Sequence, residues 1–366
     1  MTPESTATQT TRAWVDIDLG ALVRNGASLQ RRAGVPLVPM VKADAYGLGA
    51  VACARALEQL DPHGFGVATV REVEELREAG IDRRIYVFSP LLPLDFAAAR
   101  AARAIPTLGD AAAIAAWIAS GGGTWHLAID TGMHRAGLRW DRVAEVAELV
   151  RAHPPEGAFT HFHSAEMNNG SWEAQEVRFR EALAALPVKP ALVHAQNSAG
   201  IVRRGASPWS FARSGVFLYG VGSGDGAALY PEPVVHVRAR ILELHDLHDG
   251  DTVSYTAAWR AVGPRRVATL GIGYADGYRR ALGNKGPALL NGARTTVAGV
   301  VTMDMTMIDV TDIPCAIGDV ATLIGRDRGA LISVEDVATF ADFMSPYEVL
   351  TGLRQRLPRR YHETVA

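Results

Sequence analysis

Cysteine is nearly absent from this chain. Cys53 and Cys315 are the only two, and they lie far apart. No paired spacing marks a metal site or a disulfide framework, so both read as ordinary thiols of a reducing compartment. Neither sign of charge dominates: 37 Lys and Arg stand against 39 Asp and Glu, a formal net charge of -2. Nothing therefore points to nucleic acid or to an anionic membrane surface as a partner. No apolar run is long enough to span a membrane. Residues 1–12 are Thr-rich and polar. They lack the apolar core of a signal peptide and read as the frayed tail of a cytoplasmic protein. Solenoid repeats are missing, and so is low-complexity sequence beyond alanine-rich helices. What remains is 366 residues of ordinary composition, 48% hydrophobic and 21% charged. That is too long for one small core and predicts one large or two medium domains.

The apolar runs set the architecture. A strand at 14–17 precedes helical spacing over 19–32, which Gly34 closes. Strand-like runs then recur at 35–41, 64–68, 85–88, 104–107, 125–129, 158–162, 191–195 and 210–213. Helical spacing fills most of the gaps, as at 70–79, 110–120, 141–152 and 173–185. Thr69 with Glu72 three residues later reads as a capping box. Eight strands with helical connectors predict an α/β fold, an eight-stranded parallel (β/α)8 TIM-type barrel. In such a barrel, catalytic groups gather at the C-terminal ends of the strands. Lys42, Arg135, His161, Asn197, Ser198 and Arg213 fall at or near those ends. Around 221–233 the pattern breaks at Gly222-Ser223-Gly224-Asp225-Gly226 and Tyr230-Pro231-Glu232-Pro233. Short β-rich runs follow at 234–243, 252–255, 266–271, 295–301, 307–310 and 320–324. The expected division is a tail at 1–12, the barrel at 13–225 and a mostly β domain at 226–366.

The stretch 35–49 is built around one lysine. A buried strand end gives a lysine little stabilising role. Burial strips hydration from the ammonium and lowers its pKa, which turns a lysine into a nucleophile or a Schiff-base former. The same position suits a lysine that snorkels into solvent, and spacing alone leaves the two readings even. Other candidates are equally open when read singly. Tyr46, before a glycine, fits amphipathic packing. Arg135, in Asp130-Thr131-Gly132-Met133-His134-Arg135, fits a rim charge. His161, in Thr160-His161-Phe162, fits a packed core residue. Asn197-Ser198 fits a turn or helix cap, Arg213 a strand-end ion pair, and Tyr255 packing. Ala275-Asp276-Gly277 fits a hairpin turn and Met303 the core.

Taken together, these segments resemble the alanine racemase family. Val41-Lys42-Ala43-Asp44-Ala45-Tyr46-Gly47-Leu48-Gly49 is similar to its cofactor-lysine motif. Arg213-Ser214-Gly215-Val216-Phe217-Leu218-Tyr219-Gly220 is similar to a second signature. The resemblance covers roughly residues 13–361 in the expected motif order. It implies that Lys42 carries pyridoxal 5'-phosphate covalently. It assigns Tyr46, Ser198, Tyr347 and the backbone N–H groups of Gly215 and Val216 to the phosphate. Arg135 would bond the cofactor's phenolic oxygen and help to hold the substrate carboxylate. His161 would lie against the cofactor ring. Arg213 would face the pyridine nitrogen and donate without surrendering its proton. The ring is then a weaker electron sink, which favours reprotonation at Cα over side reactions. Racemisation needs acid–base groups on both faces, and the resemblance supplies Lys42 and Tyr255. A phenol with a pKa of about 10 in water must shift down to serve as a base. Tyr255 would enter from the other subunit of a head-to-tail homodimer with shared active sites. Tyr274 would narrow the entrance, and the Met303 N–H would meet a small amino-acid substrate. The first strand would pack with the second domain, and segment 356–361 would be structural. Alanine is the implied substrate, with D-alanine for wall precursors the implied role.

Several positions depart from the family pattern. Ala128 replaces a lysine that many members carbamylate to orient the equivalent of Arg135. His134, Thr256, Thr302 and Met305 also differ. Two alternatives therefore stay open: racemisation of serine or a specialised-metabolite precursor, and a non-catalytic pyridoxal-phosphate-binding protein. The substantial β domain with Tyr255 argues against the latter. The cysteine-containing motif of a fold-related decarboxylase is not found.

Overall fold

A computed structural model describes residues 11–224 and 226–365, so the tail expected at 1–12 lies outside them except for its last two residues. The first strand, β1 (Ala13–Asp18), is buried along its whole length. Its last residue caps the next helix, Leu19–Ala33: Asp18 Oδ1 accepts from Ala21 N at 2.6 Å. Gly34, at φ 67°, closes that helix in the left-handed conformation glycine tolerates.

Eight parallel segments follow, each overlapping an expected run, with ends that differ by up to three residues. They are β2 (Leu37–Pro39), β3 (Phe65–Val67), β4 (Ile85–Val87), β5 (Ala104–Leu108), β6 (His126–Asp130), β7 (Gly157–Phe159), β8 (Leu192–His194) and β9 (Ala212–Ser214). β3 to β8 form one continuous parallel sheet, and β9 pairs with β2. One bridge, Met40 to Gly66, joins β2 to β3. Between β8 and β9, Ser210 N donates to Val193 O at 2.8 Å and Arg213 N to Gln196 O at 2.9 Å. Side chains alternate across these strands. Val38, Tyr86, Ile105 and Phe211 fill one inner cluster, while Leu37, Phe65, Ile85 and Val87 belong to the main core. The Thr69–Glu72 capping box forms at the start of helix Val70–Glu78. The helix expected at 141–152 is instead a 3-10 stretch, Trp140–Val146, continued by a short α-helix, Ala147–Ala152.

The second part of the chain is mostly β. Its spine is the long strand β10 (Val235–Leu247), which pairs antiparallel with β1, Arg265–Leu270 and Val320–Asp327. β1 also pairs in parallel with Arg359–His362, so it belongs to this sheet, as expected. Strands Pro287–Leu290, Ala330–Ile332 and Arg359–His362 were not legible. The first has no alternation, and the last is polar at every position. Among the described residues, no helix is long and apolar enough to cross a membrane.

Candidate active site

Lys42 stands just past the end of β2, and the chain after it turns the wrong way round. Ala43, Asp44, Ala45 and Tyr46 all take φ between 52° and 58°, one left-handed turn without a glycine. Each such L-residue costs roughly 1–2 kcal/mol, so the turn persists only because its surroundings over-determine it. Ala45 N donates to Val41 O at 2.8 Å, and Ala50 N to Asp44 Oδ1 at 2.7 Å. Ala43 N donates to Glu72 Oε1 at 2.6 Å, while Glu72 Oε2 accepts from Ala68 N at 2.7 Å and Thr69 N at 3.0 Å. One carboxylate thus clamps the ends of β2 and β3 together. From below, Arg359 donates to Gly47 O at 2.9 Å.

This strained turn presents Lys42 to a cavity of about 570 Å³ shared with Arg135, His161, Ala128, Phe88 and Phe159. Burial lowers the Lys42 pKa, the Arg135 charge lowers it further, and Glu72 opposes both. His161 is pushed down to about 3 by burial first and then by Arg213, Arg135 and Lys42. It is a neutral ring in this site. Arg135 makes no ion pair among the described residues. Ala128 lines the same cavity and offers this guanidinium no polar partner. The loop that carries it is nonetheless fixed. Asp130 Oδ1 accepts from Gly132 N at 2.9 Å and His134 N at 3.1 Å, and Asp130 Oδ2 meets His134 Nδ1 at 2.9 Å.

Arg213 lies beneath, 4% exposed. Its NH2 donates to Thr160 O at 2.7 Å and Ala195 O at 3.1 Å, and lies 3.4 Å from His161 Nδ1. Its NH1 meets His194 Nδ1 at 2.7 Å. Burial, then the Arg135 charge, push this guanidinium down to about 9, still protonated at neutral pH. Beside it the chain forms a small cradle. Gly215 N donates to Ser198 Oγ at 2.8 Å. A Cβ at Gly215 would sit 3.0 Å from the Tyr46 hydroxyl and 3.9 Å from Ser198 Oγ, so only glycine leaves that space open. Val216 follows directly, and the Tyr347 ring stands 6.0 Å from that of Tyr46. An amine, an anion cradle and a buried donor for a ring nitrogen are the three features that pyridoxal phosphate requires, so the residues present fit that group.

Of the sequence candidates, Lys42, Arg135 and His161 line this cavity, whereas Tyr255, Tyr274 and Met303 are exposed on the second domain. Tyr255 is 70% exposed on a 3-10 turn of the second domain, two residues beyond the short strand Thr252–Val253 rather than at its end. Tyr274 and Met303 are also exposed. Their turns are bonded together: Tyr274 N donates to Thr302 O at 3.0 Å, and Ala275 N to Met303 O at 3.0 Å. Ser254 Oγ donates to Val300 O at 2.9 Å and ties in the Tyr255 turn. Two departures become intelligible here. Thr302 N and Oγ1 both donate to Met305 O, at 3.0 and 2.9 Å, closing the Met303 turn. Thr256 is less comfortable. It holds φ 62°, a conformation that penalises a β-branched residue. Thr256→Gly should raise stability by about 1 kcal/mol, the low end of the strain released. A thermal midpoint at or below that of the parent would contradict this.

Sequence reasoning overlooked His126 and the grip of Glu72 on Ala43. Both carry a physical signal: a histidine opening an inward-facing strand, and a capping carboxylate one strand away from the key lysine. His126 and His194 are fully buried, and burial is the largest cause holding both imidazoles below their usual value. The fold keeps them neutral at a pH where the unfolded chain takes up protons. The part of the stability that depends on these two rings is therefore full above about pH 6.5. Below it stability should fall, by up to about 1.4 kcal/mol per pH unit for each histidine. Urea midpoints compared on the two sides of that value test this; equal midpoints would refute it.

Residues 17–223 match the family model "Alanine racemase, N-terminal domain", and residues 234–361 match "Alanine racemase, C-terminal domain". The alanine racemase of Deinococcus radiodurans is 38% identical over 357 residues, 95% of this chain and 99% of that protein. That of Symbiobacterium thermophilum is 36% identical over 371 residues, 95% of this chain and 96% of that protein. Among solved structures, an alanine racemase from E. faecalis superposes with a TM-score of 0.91 at 30% identity, covering 96% of this chain and 98% of that one. An alanine racemase from Bartonella henselae with covalently bound pyridoxal phosphate gives 0.86 at 29%, covering 96% and 100%.

Proposed function

This chain belongs to the alanine racemase family, and from that premise we propose how its residues interconvert L- and D-alanine. It is an isomerase, and its two parallel sheets are read as one eight-stranded barrel followed by the β domain, with the division near residue 225. The observation that carries the assignment is Lys42: an amine of lowered pKa, on a left-handed turn, facing a cavity with Arg135 and neutral His161.

Pyridoxal phosphate, when bound, withdraws electrons from the substrate Cα so that its proton becomes removable. Lys42 holds the group and moves that proton on one face. The hydroxyls of Tyr46 and Ser198, the N–H groups of Gly215 and Val216, and Tyr347 serve the phosphate. Arg213 donates toward the ring nitrogen while keeping its own proton, which limits how far electrons drain from Cα. Arg135 meets the phenolic oxygen and, with the Met303 N–H, the substrate carboxylate. Neutral His161 packs against the ring. Tyr255 serves the opposite face. In one chain it is exposed and away from the cavity, so a second copy must supply it together with Tyr274 and Met303. A head-to-tail homodimer with two shared sites satisfies this. A reducing cytoplasmic compartment suits the free thiols Cys53 and Cys315.

Incubation of the purified protein with pyridoxal phosphate and L-alanine in deuterated water tests this reading. Deuterium should enter Cα as D-alanine accumulates, and L-serine offered in parallel should exchange far more slowly. No exchange with alanine would refute the reading, and a preference for serine would reassign the substrate.

A further inference from the structure

Arg213 is the near end of a hydrogen-bonded chain that leaves the site and runs down the inside of the barrel. Its NH1 lies 2.7 Å from His194 Nδ1; His194 Nε2 lies 2.9 Å from His126 Nδ1; His126 Nε2 lies 3.3 Å from Glu156 Oε2. The chemistry of the two ends fixes every proton between them. A guanidinium only donates, so His194 Nδ1 accepts, and the neutral ring carries its proton on Nε2. His126 Nδ1 must then accept, which puts the His126 proton on Nε2, pointing at a carboxylate that only accepts. The reverse direction would require Arg213 to accept a hydrogen bond.

The surroundings are shaped for this chain. Glu156 directly precedes β7, His126 opens β6 and His194 closes β8, so the path runs from the N-terminal end of the strands to the mouth. A Cβ at Gly157 would lie 2.3 Å from the His126 ring, so glycine makes its room. Phe159 and Phe211 both stack on His194, with centroids at 5.0 and 4.2 Å. Tyr86 meets His126 edge-on at 5.0 Å. Both rings are fully buried, out of contact with bulk solvent. The Arg213 side chain bonds backbone carbonyls and imidazole nitrogens, not a carboxylate. A buried cation needs compensation, and a directed chain of polarised bonds conveys part of a distant negative charge. At its outer end, Glu156 also pairs with Arg84, which donates to Tyr86 Oη at 2.9 Å.

We propose that Glu156 is a positioning residue for Arg213. Through His126 and His194, both held as Nε2–H tautomers, it orients the guanidinium and supplies its counter-charge from the far end of the barrel. The predicted effect on turnover rests on the role given to Arg213 above, whereas the tautomers are a property of the chain itself.

Long-range proton–nitrogen correlation spectra of the full-length, cofactor-loaded protein, labelled with ¹⁵N in its histidine rings, test the chain. His126→Gln and His194→Gln assign the signals. Both rings should show a protonated Nε2 and a bare Nδ1 at neutral pH. Glu156→Gln keeps an acceptor and removes the charge. The tautomers should persist while kcat falls about tenfold, the lower end for outer partners of an oriented imidazole, and KM should stay within about twofold. Glu156→Leu removes the acceptor and should shift the His194 signals as well as those of His126. An Nδ1–H tautomer at either ring overturns the proposal, as does an unchanged kcat in Glu156→Gln. Expected tautomers in a wild-type protein that racemises nothing would support the chain and overturn the functional reading instead.

Discussion

Lys42→Ala will abolish alanine racemisation, a loss of at least about 10⁴-fold in kcat, together with the absorbance of a lysine-bound cofactor. The size of the effect follows from the double use of one amine. Lys42 is both the attachment point and the proton acceptor on its face, and no second lysine stands in the cavity. The chain has only two others, Lys189 and Lys285. Borohydride reduction of the wild-type protein followed by peptide mapping should therefore place the cofactor on Lys42 and leave those two unmodified. The fold should survive the change, because the left-handed turn is held by backbone bonds, Glu72 and Arg359 rather than by the ammonium. Label on Lys189 or Lys285, or racemisation near the parental rate in Lys42→Ala, would refute the assignment.

Tyr255→Phe will separate proton removal from racemisation. The phenol serves the face that Lys42 cannot reach, so conversion between enantiomers should fall by about 10³-fold, within the range for a general acid–base group. Lys42 still works its own face. In deuterated water one enantiomer of alanine should continue to exchange its Cα proton with retention, while the other exchanges slowly. Because Tyr255 is 70% exposed in its own chain, the stability of that chain should barely change. Parental racemisation rates, or equal loss of exchange from both enantiomers, would remove Tyr255 from its role.

The eight strands were legible because each is a short apolar run between helical spacings, and the side chains at their ends fell where a barrel gathers its chemistry. The lysine turn was visible as a motif but not as a shape. Ala43 to Tyr46 contain no glycine, so nothing in them announces four positive φ values. Thr256 hid its strain in the same way. Glu72 was legible as a cap from a three-residue spacing, yet its bond to Ala43 spans 29 residues and exists only in the fold. The His126–His194 contact joins residues 68 apart. The two lie on next-but-one strands, with β7 between them, and a single sequence does not state the register that brings such residues together. Tyr255 is the sharpest case: the family resemblance implied its role, whereas the single chain leaves it 70% exposed.

The central claim is that Lys42 of one copy works with Tyr255 of another. Lys42→Ala and Tyr255→Phe proteins, each inactive alone, can be mixed under conditions that exchange subunits. Every mixed dimer would contain one site with both residues intact, so activity should return to about a quarter of the wild-type level in an equal mixture with random pairing. A mixture that stays inactive while mixed dimers are demonstrably present would mean that the two residues act within one chain, and the account would be wrong.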